Sequence, residues 1–299
     1  MAQTVGQLLR EAAARLAESG SDTPRLDAEV LLGHVLRVDR ATLLAGPEAG
    51  VGADAEREFG ELVGRRASGE PVSYIRGLKE FYGLVFTVDR RALIPRPETE
   101  TLVDLALARI ATMLTSASRP PDDPLKIWDV GAGSGTICVA LAVESRRRGY
   151  AGDVRFFATD VSPDALSLAM ENSVVHGVAD AIEFATADLI EGAKFGPVDM
   201  LLANLPYIAS SEVPTLPVAA SFEPMGALDG GMDGLELIRR LIDQLPQALA
   251  PGGVALLEIG ADQTDALASH VEQAGGGWTS HIHPDLAGRP RVAEIWRDE

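Results

Sequence analysis

From residue 125 onward, short apolar runs typical of buried strands alternate with longer segments of helical periodicity. Parallel strands need a crossover connection, which is usually a helix. The alternation therefore predicts an α/β fold with a mostly parallel sheet that helices cover on both faces. The last two strands have no helix between them, which predicts a hairpin at the sheet edge. The predicted strands are 125–130, 154–159, 181–185, 198–203, 253–259, 277–282 and 291–297, and the predicted helices are 135–147, 163–176, 234–249 and 262–273.

A glycine-rich loop joins the first of these strands to the first of these helices. Glycine allows positive φ and a close approach of backbone to ligand, and the following helix supplies free N–H groups. Asp160, 29 residues after Gly131, ends the next strand and is placed to accept hydrogen bonds from ribose hydroxyls. The candidate cofactor residues are Gly131, Ala132, Gly133, Ser134, Gly135, Asp160, Asp188, Leu189 and Asn204.

The charge around this loop favours a cationic cofactor. Asp129 directly precedes the loop, and Asp160 follows the next strand. S-adenosyl-L-methionine carries a sulfonium and an amino acid tail, whereas a dinucleotide carries a pyrophosphate. The two carboxylates favour the former, and the GxGxG spacing differs from the GxGxxG of nicotinamide sites. Another nucleotide, or a tight turn that binds no ligand, remains an alternative.

The fourth predicted strand ends in the tetrapeptide Asn204-Leu205-Pro206-Tyr207. Ligands of open α/β sheets bind at the carboxyl ends of the strands, so this loop should face the same crevice as the glycine loop. Asn204 offers an amide oxygen and Leu205 a carbonyl, which Pro206 restricts to extended geometry. Tyr207 offers a flat face. Two acceptors and a flat wall suit a planar NH₂ group, although an ordinary polar loop is an equally good interpretation of the composition.

The segment before residue 97 has a different character. Residues 1–72 show the periodicity of short helices and predict a helical bundle that docks a partner or braces a neighbour. Residues 73–96 are rich in β-formers, among them Tyr74, Ile75 and Phe86, and predict a linking β-hairpin. Residues 97–299 form a third part of the chain, in which methyl-group chemistry is expected. That part opens with a helix from about Glu98 to Leu114 and a proline-rich loop over 115–124.

Composition excludes several classes of protein. The 299 residues include one cysteine, Cys138, so an internal disulfide scaffold is excluded, and a reducing compartment such as the cytoplasm is expected. The formal charge of −18 argues against direct binding of nucleic acid through its phosphates. No apolar run approaches the length of a membrane span. His281 and His283 share a strand face without a further ligand nearby, so no metal site is expected.

The residues also carry a family resemblance. The GAGSG loop paired with an N-x-P-Y loop is similar to the class I S-adenosylmethionine-dependent methyltransferases, and the chain resembles the HemK/PrmC family of release factor glutamine methyltransferases. The resemblance runs from about Pro71 to the end of the chain. It rests on GLKEFYGLVFTVDRRALIPRPETE at 77–100, DVGAGSGTICVALA at 129–142, ATDVSPDALSLAMEN at 158–172, ANLPYI at 203–208, FEPMGALDGGMDGLELIRR at 222–240, LAPGGVALLEIGADQ at 249–263 and DLAGRPRV at 285–292.

The resemblance implies a Rossmann-like, seven-stranded, mostly parallel sheet with a small N-terminal helical bundle. It implies methyl transfer from S-adenosylmethionine to the side-chain amide nitrogen (N5) of the glutamine in the Gly-Gly-Gln loop of peptide chain release factors, and a monomer acting in the cytoplasm. The substrate residues would be Asn204, Leu205, Pro206 and Tyr207, with Arg96 and Glu98 nearby. Leu205 stands where the family usually has a second proline, but a leucine carbonyl still serves as the acceptor.

Two other functions remain open at this stage. An N-x-P-Y loop suits any planar exocyclic amine, so a methyltransferase acting on a nucleic-acid base is the main alternative. The charge of −18 and the long resemblance outside the loop disfavour it. A non-catalytic binding module is the other alternative, and the intact Asn204, Pro206 and Tyr207 argue against it.

Overall fold

The computed structural model describes residues 3–115 and 123–297. Among these residues, one compact unit runs up to Leu78 and includes Leu216–Phe222. The other unit runs from Lys79 to Thr215 and from Glu223 onward. The proline-rich loop predicted over 115–124 lies largely outside the described residues. No helix in these two stretches is long and apolar enough to cross a bilayer.

The first unit is helical, as the N-terminal periodicity predicts. The side chain of Thr4 caps the first helix and forms a capping box with Gln7, while the Asp39 carboxylate caps the third helix at Thr42 N. Apolar side chains from all five helices of this unit meet in one core. The helices are α1 (Val5–Glu18), α2 (Pro24–Leu36), α3 (Arg40–Ala45), α4 (Ala53–Ala67) and α5 (Val72–Arg76).

The predicted hairpin is shorter than its β-forming residues suggest. Tyr74 and Ile75 lie in helix α5, so their placement in a hairpin strand was wrong. Ile75 joins the core of the helical unit, and Gly77 ends the helix at φ +70°. Tertiary burial therefore outweighs the β propensity of these two side chains. The hairpin itself consists of β1 (Leu78–Phe81) and β2 (Leu84–Thr87), joined at Tyr82 and Gly83, which both have positive φ.

The second unit contains the predicted α/β sheet. Its seven strands have the order β5-β4-β3-β6-β7-β9-β8, and all neighbours are parallel except that β9 is antiparallel to both β7 and β8. The mostly parallel sheet and the hairpin at its edge are thereby confirmed. The elements are α6 (Glu100–Leu114), β3 (Leu125–Val130), α7 (Thr136–Arg147), β4 (Val154–Asp160), α8 (Pro163–Val175), β5 (Ile182–Thr186), β6 (Val198–Ala203), α9 (Glu236–Ala248), β7 (Leu249–Glu258), α10 (Thr264–Gln273), β8 (Trp278–Pro284) and β9 (Pro290–Arg297).

The strand order determines where a ligand can bind. After β3 the chain continues to β4 on one side, and later returns to β6 on the other side of β3. The order of the sheet therefore reverses between β3 and β6, and the loops that follow these two strands diverge and open a crevice. The glycine loop follows β3 and Asn204 follows β6, so both predicted loops lie at this crevice.

Candidate active site

The glycine loop after β3 has a backbone that glycine alone adopts readily. Gly131, Gly133 and Gly135 have φ of +76°, +56° and +78°. The Gly131 and Ala132 amides both donate to the Thr159 carbonyl of β4, at 2.8 and 2.9 Å. These two bonds hold the loop against the neighbouring strand and leave one side of it open to the crevice.

Asp160, at the end of β4, is tied to this loop. Its Oδ2 accepts from the Gly133 amide at 2.8 Å, and its Oδ1 accepts from the Ser162 amide at 2.9 Å. Burial raises the pKa of Asp160, while these two amides act in the opposite direction. The carboxylate is therefore held in a fixed orientation, and its remaining lone pairs can accept from a ligand.

The crevice is a cavity of about 240 Å³. Arg91 is the one cation among its lining residues, and it is already paired with Asp89 and Glu171. A pyrophosphate would find no unpaired cation there. Eight of the predicted site residues line the cavity: Gly131, Gly133, Asp160, Asp188, Leu189, Asn204, Leu205 and Pro206.

The other predicted residues lie outside this lining. Ala132, Ser134 and Gly135 belong to the same loop, and the Ser134 carbonyl accepts from Asn172 Nδ2 at 2.9 Å. Their contribution is to shape the loop and begin helix α7. Tyr207, Arg96 and Glu98 are also absent from the cavity lining.

Several lining residues were not among the predicted site residues, although most of them lie in segments that carry the family resemblance. Val161 and Ser162 directly follow Asp160, so their position beside a predicted ligand was a usable signal. The remainder come from segments far apart in sequence that meet at the crevice through the fold. They are Arg91, Ala92, Leu93, Ala165, Ala187, Pro224, Gly226, Ala227 and Leu237.

Asp188 and Leu189 both line the cavity. Asp188 is paired with Arg240 of α9 at 2.9 Å. Leu189 is 7 % exposed and has a φ of +56°, and its carbonyl accepts from the Thr159 hydroxyl at 3.2 Å. This left-handed conformation is uncommon for leucine, and it persists because the surrounding contacts hold it. Leu189 thus gives the cavity an apolar wall suited to the face of a ring.

Asn204 is half-buried and also lines the cavity. Its Nδ2 donates to Thr99 Oγ1 at 3.0 Å, whereas no donor among the described residues reaches its Oδ1. Thr99 ends a short 3-10 turn, Pro97–Thr99, so helix α6 begins at Glu100 and not at Glu98 as predicted. Asn204 therefore presents a free acceptor beside the cavity.

Leu205 and Tyr207 are both held by neighbouring elements. The Leu205 side chain is buried in a core with residues of the sheet and of α9. Its Cδ2 occupies the position that a side chain on Gly131 would need. The Tyr207 hydroxyl donates to Glu258 Oε1 at 3.3 Å, and its carbonyl accepts from Gln263 Nε2 at 2.8 Å. Burial and the nearby Glu258 raise the pKa of Tyr207 to about 12, so the phenol stays protonated at neutral pH.

Arg96 lies in the loop that precedes α6. Its Nη2 pairs with Glu223 Oε1 at 2.6 Å, and the second Glu223 oxygen accepts from the Ile94 amide at 3.1 Å. Glu223 is 8 % exposed and immediately precedes the lining residue Pro224. Arg96 therefore holds the segment that contributes Pro224 to the cavity lining, and does not line the cavity itself.

These residues fit S-adenosylmethionine better than a dinucleotide. The cavity combines the oriented Asp160 carboxylate, the glycine backbone and an apolar wall at Leu189, without an unpaired cation in its lining. Carboxylates and exposed carbonyls suit ribose hydroxyls and an ammonium group, and they also favour a sulfonium.

Solved structures of similar fold include methyltransferase domains. The chain superposes on the hMettl16 catalytic domain, solved with a 3'UTR hairpin, with a TM-score of 0.55 at 16% identity, covering 79% of this chain and 82% of that one. The delta-N METTL16 MTase domain gives a TM-score of 0.50 at 18% identity, with 72% and 89% covered. Fold and site together define a class I S-adenosylmethionine-dependent methyltransferase.

Comparison with curated proteins identifies the family within this class of methyltransferases. Residues 7–77 match the family described as the PrmC N-terminal domain. The release factor glutamine methyltransferase of Moorella thermoacetica is 38% identical over 99% of both chains. The proteins of the same name from Deinococcus radiodurans and Chlorobaculum tepidum are 36% and 40% identical, covering 97% of both chains in the first case and 87% of this chain and 86% of its relative in the second. The chain belongs to the release factor glutamine methyltransferase family.

Proposed function

We propose that this methyltransferase transfers a methyl group to the side-chain amide nitrogen (N5) of the glutamine in the Gly-Gly-Gln loop of peptide chain release factors. One observation carries the proposal. Asn204, whose Oδ1 has no donor from the described part of the chain, stands at the cavity wall directly before Leu205 and Pro206. Two acceptors beside a methyl-donor site match the two N–H groups of a primary amide.

The chain's own residues position the substrate. Asn204 Oδ1 and the Leu205 carbonyl accept the two N–H bonds of the glutamine amide, and Tyr207 packs along its side chain. S-adenosylmethionine supplies an electrophilic methyl group when bound. The two acceptors stabilise the positive charge that develops on the nitrogen, and fixing the nitrogen in line with the methyl lowers the barrier by several kcal/mol, on the order of 7 or more.

No strong base is required of the protein. The Tyr207 phenol has a pKa raised to about 12 and donates to Glu258, so it does not accept a proton at neutral pH. The glutamine nitrogen loses its proton after methyl transfer, when it has become acidic, and water accepts that proton. Catalysis therefore rests on orientation and electrostatics.

The N-terminal helical unit, within which residues 7–77 match the PrmC N-terminal domain, is proposed to dock the release factor. The protein is proposed to act as a monomer in the cytoplasm, without binding nucleic acid directly. Its partner is then the release factor protein itself.

A transfer assay tests the proposal. The protein is incubated with S-adenosylmethionine labelled in its methyl group and with a release factor, and a Gln→Ala variant of the Gly-Gly-Gln loop serves as the control. We expect label on the wild-type factor and none on the variant. Label on nucleic acid, or on the variant factor, would contradict the proposal.

The Asn204→Ala variant tests the site. We expect kcat to fall by about 100-fold or more, because one of the two acceptors for the developing charge is lost, with little change in cofactor affinity. Isothermal titration with S-adenosylmethionine and the transfer assay measure the two effects separately. Full activity in this variant would show that Asn204 does not hold the amide.

A further inference from the structure

The chain that follows β6 lies beside the chain that follows β7. The two strands are parallel neighbours, and Ala203, the last residue of β6, stands opposite Leu257. The Asn204–Tyr207 loop therefore continues next to the connection between β7 and α10. Gln263 ends this connection, directly before α10, and is 8 % exposed. A side-chain amide buried to this degree must find its hydrogen-bonding partners within the protein.

The Gln263 side chain joins three stretches of backbone. Its Oε1 accepts from the Gly260 amide at 2.8 Å, within the same connection. Its Nε2 donates to the Tyr207 carbonyl at 2.8 Å and to the Asp233 carbonyl at 3.4 Å. One side chain thus links the chain after β7, the last residue of the Asn204–Tyr207 loop and the segment that precedes α9.

These partners allow the Gln263 amide only one orientation. A backbone N–H group can only donate, and a carbonyl can only accept. If the side-chain amide were turned over, its NH₂ would face the Gly260 amide and its oxygen would face two carbonyls. The donor to the Tyr207 carbonyl is therefore held in place by the acceptor at the other end of the same amide.

The segment that precedes α9 packs closely on the same loop. A Cβ added to Gly234 would overlap the Tyr207 carbonyl oxygen, and one added to Gly230 would lie 2.5 Å from the Pro206 carbonyl oxygen. The Gly230 amide also donates to the Ile208 carbonyl at 2.8 Å. Glycine permits this close approach of two backbones, so the loop is confined on the side of this segment as well.

We propose that Gln263 is a positioning residue, which holds the Tyr207 carbonyl and thereby fixes the backbone that directs the two amide acceptors toward the substrate glutamine. Those acceptors are Asn204 Oδ1 and the Leu205 carbonyl. This inference rests on the proposed function, since it concerns how the same acceptors are held. Gln263 is not among the residues that line the cavity, so it acts through the loop and not on the reacting atoms.

The test removes the hydrogen bonds of Gln263 in two ways. Gln263→Glu keeps the size and the acceptor for the Gly260 amide, but it replaces the donor to the Tyr207 carbonyl by an oxygen. Gln263→Met keeps the length of the side chain and removes both kinds of hydrogen bond. Gln244→Met is the matched control, because Gln244 is a half-buried glutamine of α9 that donates to Glu191 at 3.0 Å, outside the cavity lining.

We expect kcat with a release factor to fall by roughly tenfold or more in both Gln263 variants, because a displacement of about 1 Å misaligns the substrate nitrogen. The KM for the release factor and the Kd for S-adenosylmethionine should stay within about threefold, and Gln244→Met should keep kcat within about threefold of wild type. In an Asn204→Ala background, Gln263→Met should reduce kcat by a smaller factor than in wild type, because one of the acceptors that it positions is already absent.

Wild-type kcat in both Gln263 variants would overturn the inference, as would equal losses in Gln263→Met and Gln244→Met. A loss in Gln263→Met of the same size with and without Asn204→Ala would show a general structural effect and would also overturn it. Thermal melting and titration with S-adenosylmethionine establish which variants are folded, and Gln263→Glu decides the question if Gln263→Met does not fold. A wild-type protein that labels no release factor would contradict the proposed function instead.

Discussion

At the scale of single residues, the glycine loop and the Asn204–Tyr207 loop pack against each other at Gly131 and Leu205. A Cβ added to Gly131 would lie 2.8 Å from Leu205 Cδ2, which is closer than carbon atoms pack. Leu205 is thus packed over the glycine loop. Its side chain contributes core burial, while its backbone carries the carbonyl that is proposed to accept from the substrate amide.

Substitution of the loop glycines tests this fit. Gly131→Ala should lower stability by about 2–5 kcal/mol, because strain from positive φ adds to overpacking against Leu205. Gly133→Ala is the matched control: it also has positive φ, but its nearest neighbour, Ala92 Cβ, is 4.0 Å from the added Cβ. The smaller loss is expected there, and chemical denaturation measures both. Equal losses would mean that the contact with Leu205 is unimportant.

Asp129, buried on β3, predicts a pH dependence of stability. Its Oδ2 accepts from the Cys138 amide at 3.2 Å, its Oδ1 has no partner, and burial raises its pKa to about 7, with the nearby Asp160 contributing. The folded state therefore binds this proton more tightly than the unfolded state, whose pKa is near the ordinary value of 3.8. Stability should fall as pH rises from about 4 to about 7, because the folded state must then ionise a buried acid.

The Asp129→Asn variant should remove this part of the dependence, since a neutral amide can still accept from Cys138. We expect the variant to melt higher than wild type at about pH 8 and to differ less at about pH 5. Thermal melts at the two pH values measure the difference. A difference in melting temperature between wild type and variant that is the same at both pH values would contradict the assignment of this pH dependence to Asp129.

The residues that motifs mark were predictable, and those that only the fold brings together were not. The glycine loop, Asp160 and Asn204 were found because backbone freedom, charge and hydrogen-bonding capacity are visible in local sequence. Arg91 and Leu237 line the same cavity; both lie in segments that carry the family resemblance, but their side chains do not by themselves indicate a ligand site. The contact between Tyr207 and Glu258 was not predicted, because the two residues lie 51 positions apart in the chain.

At the scale of elements, the segment 223–235 contributes Pro224, Gly226 and Ala227 to the cavity lining and is held by hydrogen bonds at several points. Glu223 holds the Ile94 amide and the Arg96 guanidinium, and the Gly230 amide donates to the Ile208 carbonyl at 2.8 Å. These contacts place the lining residues of this segment without any regular secondary structure beyond a short turn at Met225–Ala227. The segment should therefore loosen when Glu223 is changed.

Replacement of Glu223 by alanine tests this attachment. We expect the KM for cofactor and for release factor to rise by roughly tenfold, because ordering the segment on binding then costs more, while kcat at saturation changes less. Glu212→Ala, at an exposed glutamate of the preceding loop, is the control and should behave as wild type. Steady-state kinetics with each substrate varied in turn gives the comparison. Unchanged KM values in Glu223→Ala would show that the segment does not depend on this carboxylate.

Element types were largely predictable from periodicity, because the sheet is long, regular and buried. The seven strands and the helices between them appear close to their predicted ranges. The failure at Tyr74 and Ile75 has a physical origin: local β propensity is weak, and burial against the neighbouring helices decided the conformation. The start of α6 shifted because Pro97 begins a 3-10 turn first.

At the scale of the whole molecule, the formal charge of −18 bears on how the substrate arrives. We propose that the acidic enzyme attracts basic surfaces of the release factor and repels RNA. Such attraction acts on the encounter rate and is screened by salt. The charge should therefore influence association more than chemistry.

Salt titration of the kinetics tests this effect. Between about 50 and 300 mM salt, we expect kcat/KM for a release factor to fall severalfold while kcat stays nearly constant. A short neutral peptide that contains the Gly-Gly-Gln sequence is the control and should show a weaker dependence. Equal dependence for peptide and protein would rule out long-range steering.

The position of β9 has a consequence for synthesis of the chain. Strands β7 and β8 are synthesised before β9. They are not neighbours in the sheet, because β9 lies between them and pairs with both. Until β9 has emerged, β7 presents one unpaired edge of backbone N–H and C=O groups, and β8 has no partner strand at all. The nascent sheet can therefore be assembled only as far as β7 until β9 has been synthesised. A messenger RNA truncated before the codon for residue 290 would yield a polypeptide that carries every residue of the candidate active site. The edge of β7 would then stay unpaired and open to association with other chains, and the polypeptide would be a target for chaperones and proteases.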